Sequence, residues 1–258
     1  MIPTPAELET LREAGRIASD ARNWAAETIK PGYLLRDLQE GMEAMIREAG
    51  ALPPFPAQTS RNKVAAHFCS SPSDNYKFEE NDLVKIDVGA HIDGLIVDTG
   101  VSADLSEDQR WAGMIGAASD ALDAAISMCA PNMDVEDIGE RVEEVINAAG
   151  FWPILNLTGH GLGRYTLHDT PQIPNARIGL QGSLEAGSIF AIEPFATDDF
   201  LQLLRTAEGS TDTRATFGAW HIGLELKVAH RIGASVFLEN MPAYSDSDRI
   251  GVFFDNEF

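Results

Sequence analysis

The chain has 258 residues, 44% of them hydrophobic, and a formal net charge of −21. That length suits one large domain or two similar halves around a substantial core. The acidity argues against a nucleic-acid surface, which needs clustered Lys and Arg to meet phosphates, and no apolar run approaches the roughly 20 residues of a membrane span. Arg outnumbers Lys, and acidic, Lys-poor surfaces stay soluble where salt screens self-repulsion. A salt-adapted source and an ordinary acidic cytosolic protein both fit. Residues 1–30 lack a basic stretch followed by an apolar one, so no signal peptide is expected. Two cysteines, Cys69 and Cys129, make no disulfide framework and are expected to be free thiols of a cytoplasmic protein.

Residues 5–30 predict a long helix. Thr4 is the cap, Pro5 sits in the first turn, and Leu8, Leu11, Ala14, Ile17 and Ala18 recur at helical spacing. Pro31-Gly32 stops it. A second helix is expected over 35–49, ended by Gly50, and then a Pro-rich extended stretch over 52–56. Residues 83–88 and 95–101 predict two strands joined by a turn at His91-Ile92-Asp93-Gly94. Helices are expected over 108–129 and 135–149, the latter ended by Gly150. An apolar run, 151–157, leads into a Gly- and His-rich segment, 158–175, and a strand-like run, 188–195. The polar stretch 197–214 reads as loop or ragged helix, and strands are expected over 220–229 and 234–238. Helices, strands, helices, strands: this order predicts an α+β fold, one antiparallel sheet with helices on one face, and a single domain over 1–258.

Four carboxylates stand inside apolar strand sequence: Asp87 in Lys-Ile-Asp-Val-Gly, Asp98 in Ile-Val-Asp-Thr-Gly, Glu193 in Ala-Ile-Glu-Pro-Phe and Glu225 in Gly-Leu-Glu-Leu. Burying a carboxylate is costly unless it is paired or bound to a cation, and two on adjoining strands repel unless a cation lies between them. The bland alternative is an exposed strand edge. Several such acids with an imidazole would form an oxygen-rich site for divalent metals, and two neighbouring ions can activate a water and hold a substrate carbonyl. His160 stands among glycines in Thr-Gly-His-Gly-Leu-Gly, which permits close backbone approach. His67 and His168 also occupy motif-like settings. Cys69, two positions from His67, could mimic a nucleophile pair on one strand face, but nothing further supports it. His91, His221 and His230 read as surface or structural residues.

Four blocks, in order, resemble the methionine aminopeptidase family of the pita-bread fold, and its type 2 branch most closely. They are Phe55-Pro56 through Asn62-Lys63-Val64-Ala65-Ala66-His67, the double-Asp hairpin 82–98, the histidine loop from Thr158-Gly159-His160 through Leu167-His168 to Asn175, and the Glu strand 190–197. The resemblance covers roughly residues 1–197. It implies a pita-bread fold with pseudo-twofold halves and two divalent ions (Mn, Fe, Co or Zn). Asp87 would chelate one ion, Asp98 would bridge both, and His160 and Glu193 would hold the second, with Glu193 also shuttling a proton. His67 and His168 would contact the substrate peptide and stabilise the tetrahedral intermediate, and Phe55 would line the methionine pocket. After Thr197 the pattern breaks. The helical insertion of the type 2 branch is absent, and the expected fifth ligand falls to Glu225, whose flanking residues differ from the family's. Glu239 and Glu257 are poorer candidates, because neither sits in an apolar strand.

The function the resemblance implies is removal of the initiator methionine from nascent chains, hence proximity to the ribosome. Two other readings stand beside it: a proline-directed aminopeptidase of the same fold, and a ligand-depleted binding or scaffold protein.

Overall fold

In the computed structural model, which describes residues 1–198, four helices and eight strands follow one another. They are α1 (Pro5–Thr28), α2 (Leu35–Glu48), β1 (Gln58–Arg61), β2 (Leu83–Ile92), β3 (Leu95–Asp104), α3 (Ala112–Met128), α4 (Val135–Ala148), β4 (Trp152–Pro153), β5 (Gly159–Gly163), β6 (Thr166–Ile173), β7 (Phe190–Ala191) and β8 (Ala196–Thr197). The expected polar stretch beyond 198, the two expected final strands, and Glu225, Glu239, Glu257, His221 and His230 lie outside the described residues. Chain contacts divide the described residues into two compact units, 7–110 and 111–198 together with 1–6.

The unit 7–110 holds α1, α2 and an antiparallel sheet in the order β1-β2-β3. Along β2 the apolar residues Val84, Ile86, Val88 and Ala90 alternate into a core with Ile17, Ala18 and Ala21 of α1 and Leu38, Met42 and Ile46 of α2. Each large aliphatic side chain buried there contributes about 1.5–3 kcal/mol. Because strand residues alternate, Lys85, Asp87, Gly89 and His91 point to the opposite face. β2 and β3 turn at Asp93 (φ 50°) and Gly94 (φ 79°), with Ile92 opposite Leu95. This is the two-residue Asp-Gly turn that matches strand twist, tighter than the four-residue turn expected. Both strands also run past their apolar stretches, since the ladder carries polar residues such as Ser102 and Asp104.

His91 is structural, as expected. It exchanges both backbone hydrogen bonds with Leu52 (2.8 and 3.0 Å), and its Nδ1 accepts from the Gly94 N–H at 3.2 Å. Burial pushes its pKa below the usual value, only partly offset by Asp93. The unfolded chain therefore takes up this proton at a higher pH than the fold does. Its contribution to stability is full above about pH 6.5 and is lost as pH falls through the lower folded pKa. His91→Asn keeps an acceptor but cannot titrate, so thermal melts from pH 7.5 down to 5 should fall less steeply for the variant than for the parent.

The unit 111–198 packs α3 and α4 through Ala121, Ala125, Val135, Ile138, Val142 and Ile146, joined by Ile173 and Leu184. Its strands form an antiparallel sheet ordered β6-β5-β7 and a β4-β8 pair. Asp134 caps α4, its carboxylate accepting from the Glu136 N–H at 2.9 Å. The buried Glu136 carboxylate accepts from the Ile178, Gly179 and Leu180 N–H groups and fixes that loop.

The two units repeat one local plan. Gly32 (φ 87°) precedes α2 and Gly50 (φ 86°) ends it, while Asn132 (φ 66°) precedes α4 and Gly150 (φ 87°) ends it. At both ends the residue after the glycine donates back to the last turn: Ala51 to the Ile46 carbonyl, and Phe151 to the Ile146 carbonyl. This is the capping geometry a left-handed glycine permits, and it is why Gly50 and Gly150 were readable as stops.

Some boundaries differ from expectation. α1 ends at Thr28, two residues early, and α3 starts at Ala112 in place of 108. Before α3, Gln109 is left-handed (φ 53°), Asp104 accepts from the Ser106 N–H, and Ser106 Oγ accepts from the Arg110 N–H, so side-chain-capped turns replace the first helical turn. The expected strand 188–195 shrinks to Phe190–Ala191, because Pro194 has no N–H for the ladder and the Ser188 N–H bonds the Glu185 carbonyl in a turn. The Gly- and His-rich segment 158–175, not predicted as strand, is the β5–β6 hairpin.

Candidate active site

Asp87 lies opposite Gly100 on β3, and Asp98 lies opposite Gly89 on β2. Residues directly opposite share a face, so both carboxylates project from the face of β2–β3 that turns away from the α1–α2 core. Each acid faces a glycine, which leaves that face open around them. Phe55 comes to the same face: a Cβ placed on Gly89 would lie 2.7 Å from Phe55 Cε1, 2.8 Å from Pro54 Cγ and 2.7 Å from the Val97 carbonyl oxygen. The Phe55 ring therefore covers Gly89, which is two residues from Asp87 on β2 and directly opposite Asp98 on β3. Gly89→Ala should push the ring out and spread the strands where Asp98 sits, costing about 1–3 kcal/mol. Chemical denaturation of the variant checks this, and unchanged stability would show that the ring yields freely.

His67 belongs to the same unit. Its N–H donates to Gln58 Oε1 at 2.9 Å, and Gln58 is the register partner of Asp87. Next to it the Phe68 N–H donates to Ser60 Oγ, and the Phe68 carbonyl accepts from the Thr59 N–H. The Ala66–Phe68 segment is thus laced along β1. Cys69 is buried with its thiol against the Pro56 carbonyl. That is a packing role, and it leaves the His67–Cys69 nucleophile idea without support.

In the other unit, His160 sits on β5 opposite Ala191 of β7 and is 6% exposed. Its Nε2 lies 3.1 Å from Glu193 Oε1, and its Nδ1 lies 3.2 Å from the Gly161 carbonyl oxygen. A carbonyl accepts only, so this contact places a proton on Nδ1 and leaves Nε2 to face the carboxylate. Two acceptors at that distance call for a cation or proton between them. Ligands on neighbouring corners of an ion at about 2.1 Å from each sit about 3 Å apart, so the pair fits a divalent metal. The His168 ring stands edge-on to His160, centroids 4.4 Å apart at 87°.

Glycines make this arrangement possible. A Cβ on Gly159 would lie 2.4 Å from the Ala191 carbonyl oxygen, and one on Gly161 would lie 2.2 Å from that of Thr170. Only glycine at alternate positions of β5 lets β6 and β7 close on both sides of His160. Among the described residues, then, the unit 7–110 gathers Phe55, His67, Asp87 and Asp98 along one sheet, and the other unit joins His160, His168 and Glu193. Glu225 lies outside the described residues. Sequence reading missed Gln58; its only mark is that it alternates with Ser60 on the strand leading to the His67 segment.

Residues 9–242 match the model of metallopeptidase family M24, a span that extends past Thr197 and includes Glu225. The methionine aminopeptidase of Archaeoglobus fulgidus is 45% identical over 190 residues, 74% of this chain and 64% of that protein. That of Methanocaldococcus jannaschii is 42% identical over 192 residues, 74% of this chain and 65% of that protein. The matches thus span less than two thirds of the length of these relatives. Among solved structures, the Thermotoga maritima methionine aminopeptidase superposes with a TM-score of 0.71 at 30% identity, covering 77% of this chain and 83% of that one.

Proposed function

The chain belongs to metallopeptidase family M24 and has its pita-bread fold; from that premise we propose that it is a metal-dependent aminopeptidase that removes N-terminal methionine. The observation that carries this reading is His160, whose Nε2 lies 3.1 Å from Glu193 Oε1 while its Nδ1 meets the Gly161 carbonyl. The ligand set proposed is Asp87, Asp98, His160, Glu193 and Glu225, for two ions of the Mn, Fe, Co or Zn kind. Bound divalent ions supply a water that ionises near neutral pH and a polarised scissile carbonyl.

The protein's own residues do the rest. Glu193 takes one proton of the attacking water and delivers it to the departing amine, which leaves as a neutral N-terminus; the other water proton stays on the new methionine carboxyl group and passes to solvent as that group ionises. His67 and His168 hold the peptide and donate hydrogen bonds to the oxygen that gains charge in the tetrahedral intermediate. Phe55, over Gly89 beside the carboxylates, packs against the methionine side chain.

Nascent chains as substrates put the work near the ribosome and in the cytoplasm. The free thiols of Cys69 and Cys129 suit that compartment. No helix among the described residues is long and apolar enough to cross a membrane.

Parallel assays on Met-Ala-Ser and Ala-Pro-Ser peptides, with Mn²⁺ or Co²⁺ present, test the specificity. Cleavage of Met-Ala-Ser alone is the expected result. Preference for Ala-Pro-Ser would move the chain to the proline-directed members of the fold.

A further inference from the structure

We infer that Gln58 is a positioning residue, whose carboxamide holds His67 in the backbone conformation its role requires; the inference rests on the reading of His67 as a substrate-contacting residue. His67 has φ 67°, a left-handed conformation that costs a residue with a Cβ about 1 kcal/mol or more. Such a conformation persists only where neighbouring contacts over-determine it. One contact on His67 itself is its N–H donating to Gln58 Oε1 at 2.9 Å. Gln58 is nearly buried, at 7% exposure, and stands directly opposite Asp87, so its side chain shares the face that carries Asp87 and Asp98. The carboxamide therefore fixes the His67 backbone on the carboxylate face of the sheet.

The residues on either side are held by other means. Phe68 is tied to Ser60 Oγ and to Thr59, and its carbonyl also accepts from the buried Gln39 side chain at 3.2 Å; Gln39 in turn accepts from the Ser70 N–H at 2.8 Å. These bonds survive if Gln58 changes. Loss of the Gln58 carboxamide should release the left-handed twist at His67 alone, letting the backbone relax and the imidazole swing while residues 68–70 stay docked. A glutamine suits this task better than a carboxylate. It supplies the same acceptor oxygen without adding a negative charge opposite Asp87.

Gln58→Met, similar in length but without the acceptor, is the test. Misplacing a group that donates to the transition state by about 1 Å costs about 100-fold. The variant should therefore lose roughly 10- to 100-fold in kcat for Met-Ala-Ser with KM little changed. In a His67→Ala background the same substitution should change kcat less than twofold, because Gln58 acts through His67. A merely structural role would lower both backgrounds alike, and that result would overturn the inference. Amide hydrogen exchange at His67 gives a readout that needs no activity: it should speed up in Gln58→Met while that at Phe68 and Ser70 does not. Unchanged exchange at His67 would overturn the inference even if the parent cleaves no peptide, an outcome that would separately remove the proposed function.

Discussion

Gly161→Ala is expected to cost about 3 kcal/mol or more and to release His160 from Glu193. The added Cβ would meet the Thr170 carbonyl oxygen at 2.2 Å and the Thr170 carbonyl carbon at 2.7 Å. Both are backbone atoms of β6, so no side chain can rotate away, and the overpacking must be relieved by moving a strand. Since β5 also pairs with β7 through His160 and Gly161, a shift of β5 carries His160 with it. Gly116→Ala in α3 is the matched control. Nothing lies within 4 Å of its added Cβ, and alanine in a helix interior is favoured over glycine by about 0.5–1 kcal/mol. Thermal unfolding should lower the midpoint for Gly161→Ala by several degrees and leave it equal or higher for Gly116→Ala. Metal binding measured by calorimetry should weaken only in the first. Equal stability of the two variants would show that β5 does not depend on its glycines.

Glu193→Gln is expected to lower kcat about 1,000-fold or more with little change in stability. The amide has the shape of the carboxylate, and its NH₂ can donate to His160 Nε2, which preserves the 3.1 Å contact. It carries no charge and cannot accept the proton of the attacking water. General acid–base catalysis alone contributes about 10²–10⁴, and loss of an anionic ligand adds to that. Steady-state kinetics with a parallel melt separates the two effects. A kcat within tenfold of the parent would show that another group moves the proton.

The candidate site stands out in the sequence wherever chemistry and environment conflict. Asp87, Asp98 and Glu193 stand out because an acid among Ile, Val and Ala needs a reason. Their register against Gly100, Gly89 and the strand beside His160 follows the alternation that any strand obeys. Gly50 and Gly150 were legible because a helix end with a left-handed residue has few alternatives. The β5–β6 hairpin was not, because Gly159, Gly161 and Gly163 have poor strand propensity; at Gly159 and Gly161 neighbouring backbone leaves no room for a Cβ, a tertiary fact. Gln58 was hidden for a similar reason. Nothing local marks a glutamine as the partner of a backbone N–H nine residues on, and only the fold of residues 66–68 against β1 brings them together. The delayed start of α3 goes with the left-handed Gln109 and with the turns that Asp104 and Ser106 hold through the Ser106 and Arg110 N–H groups, which local sequence does not announce.

Free methionine released from a Met-Ala-Ser peptide, measured with and without added Mn²⁺ or Co²⁺ for the parent and for Asp98→Ala, tests the central claim most directly. The account predicts release that depends on metal and disappears in Asp98→Ala. A folded parent that releases no methionine with any divalent metal would contradict it and leave a binding protein built on the same fold.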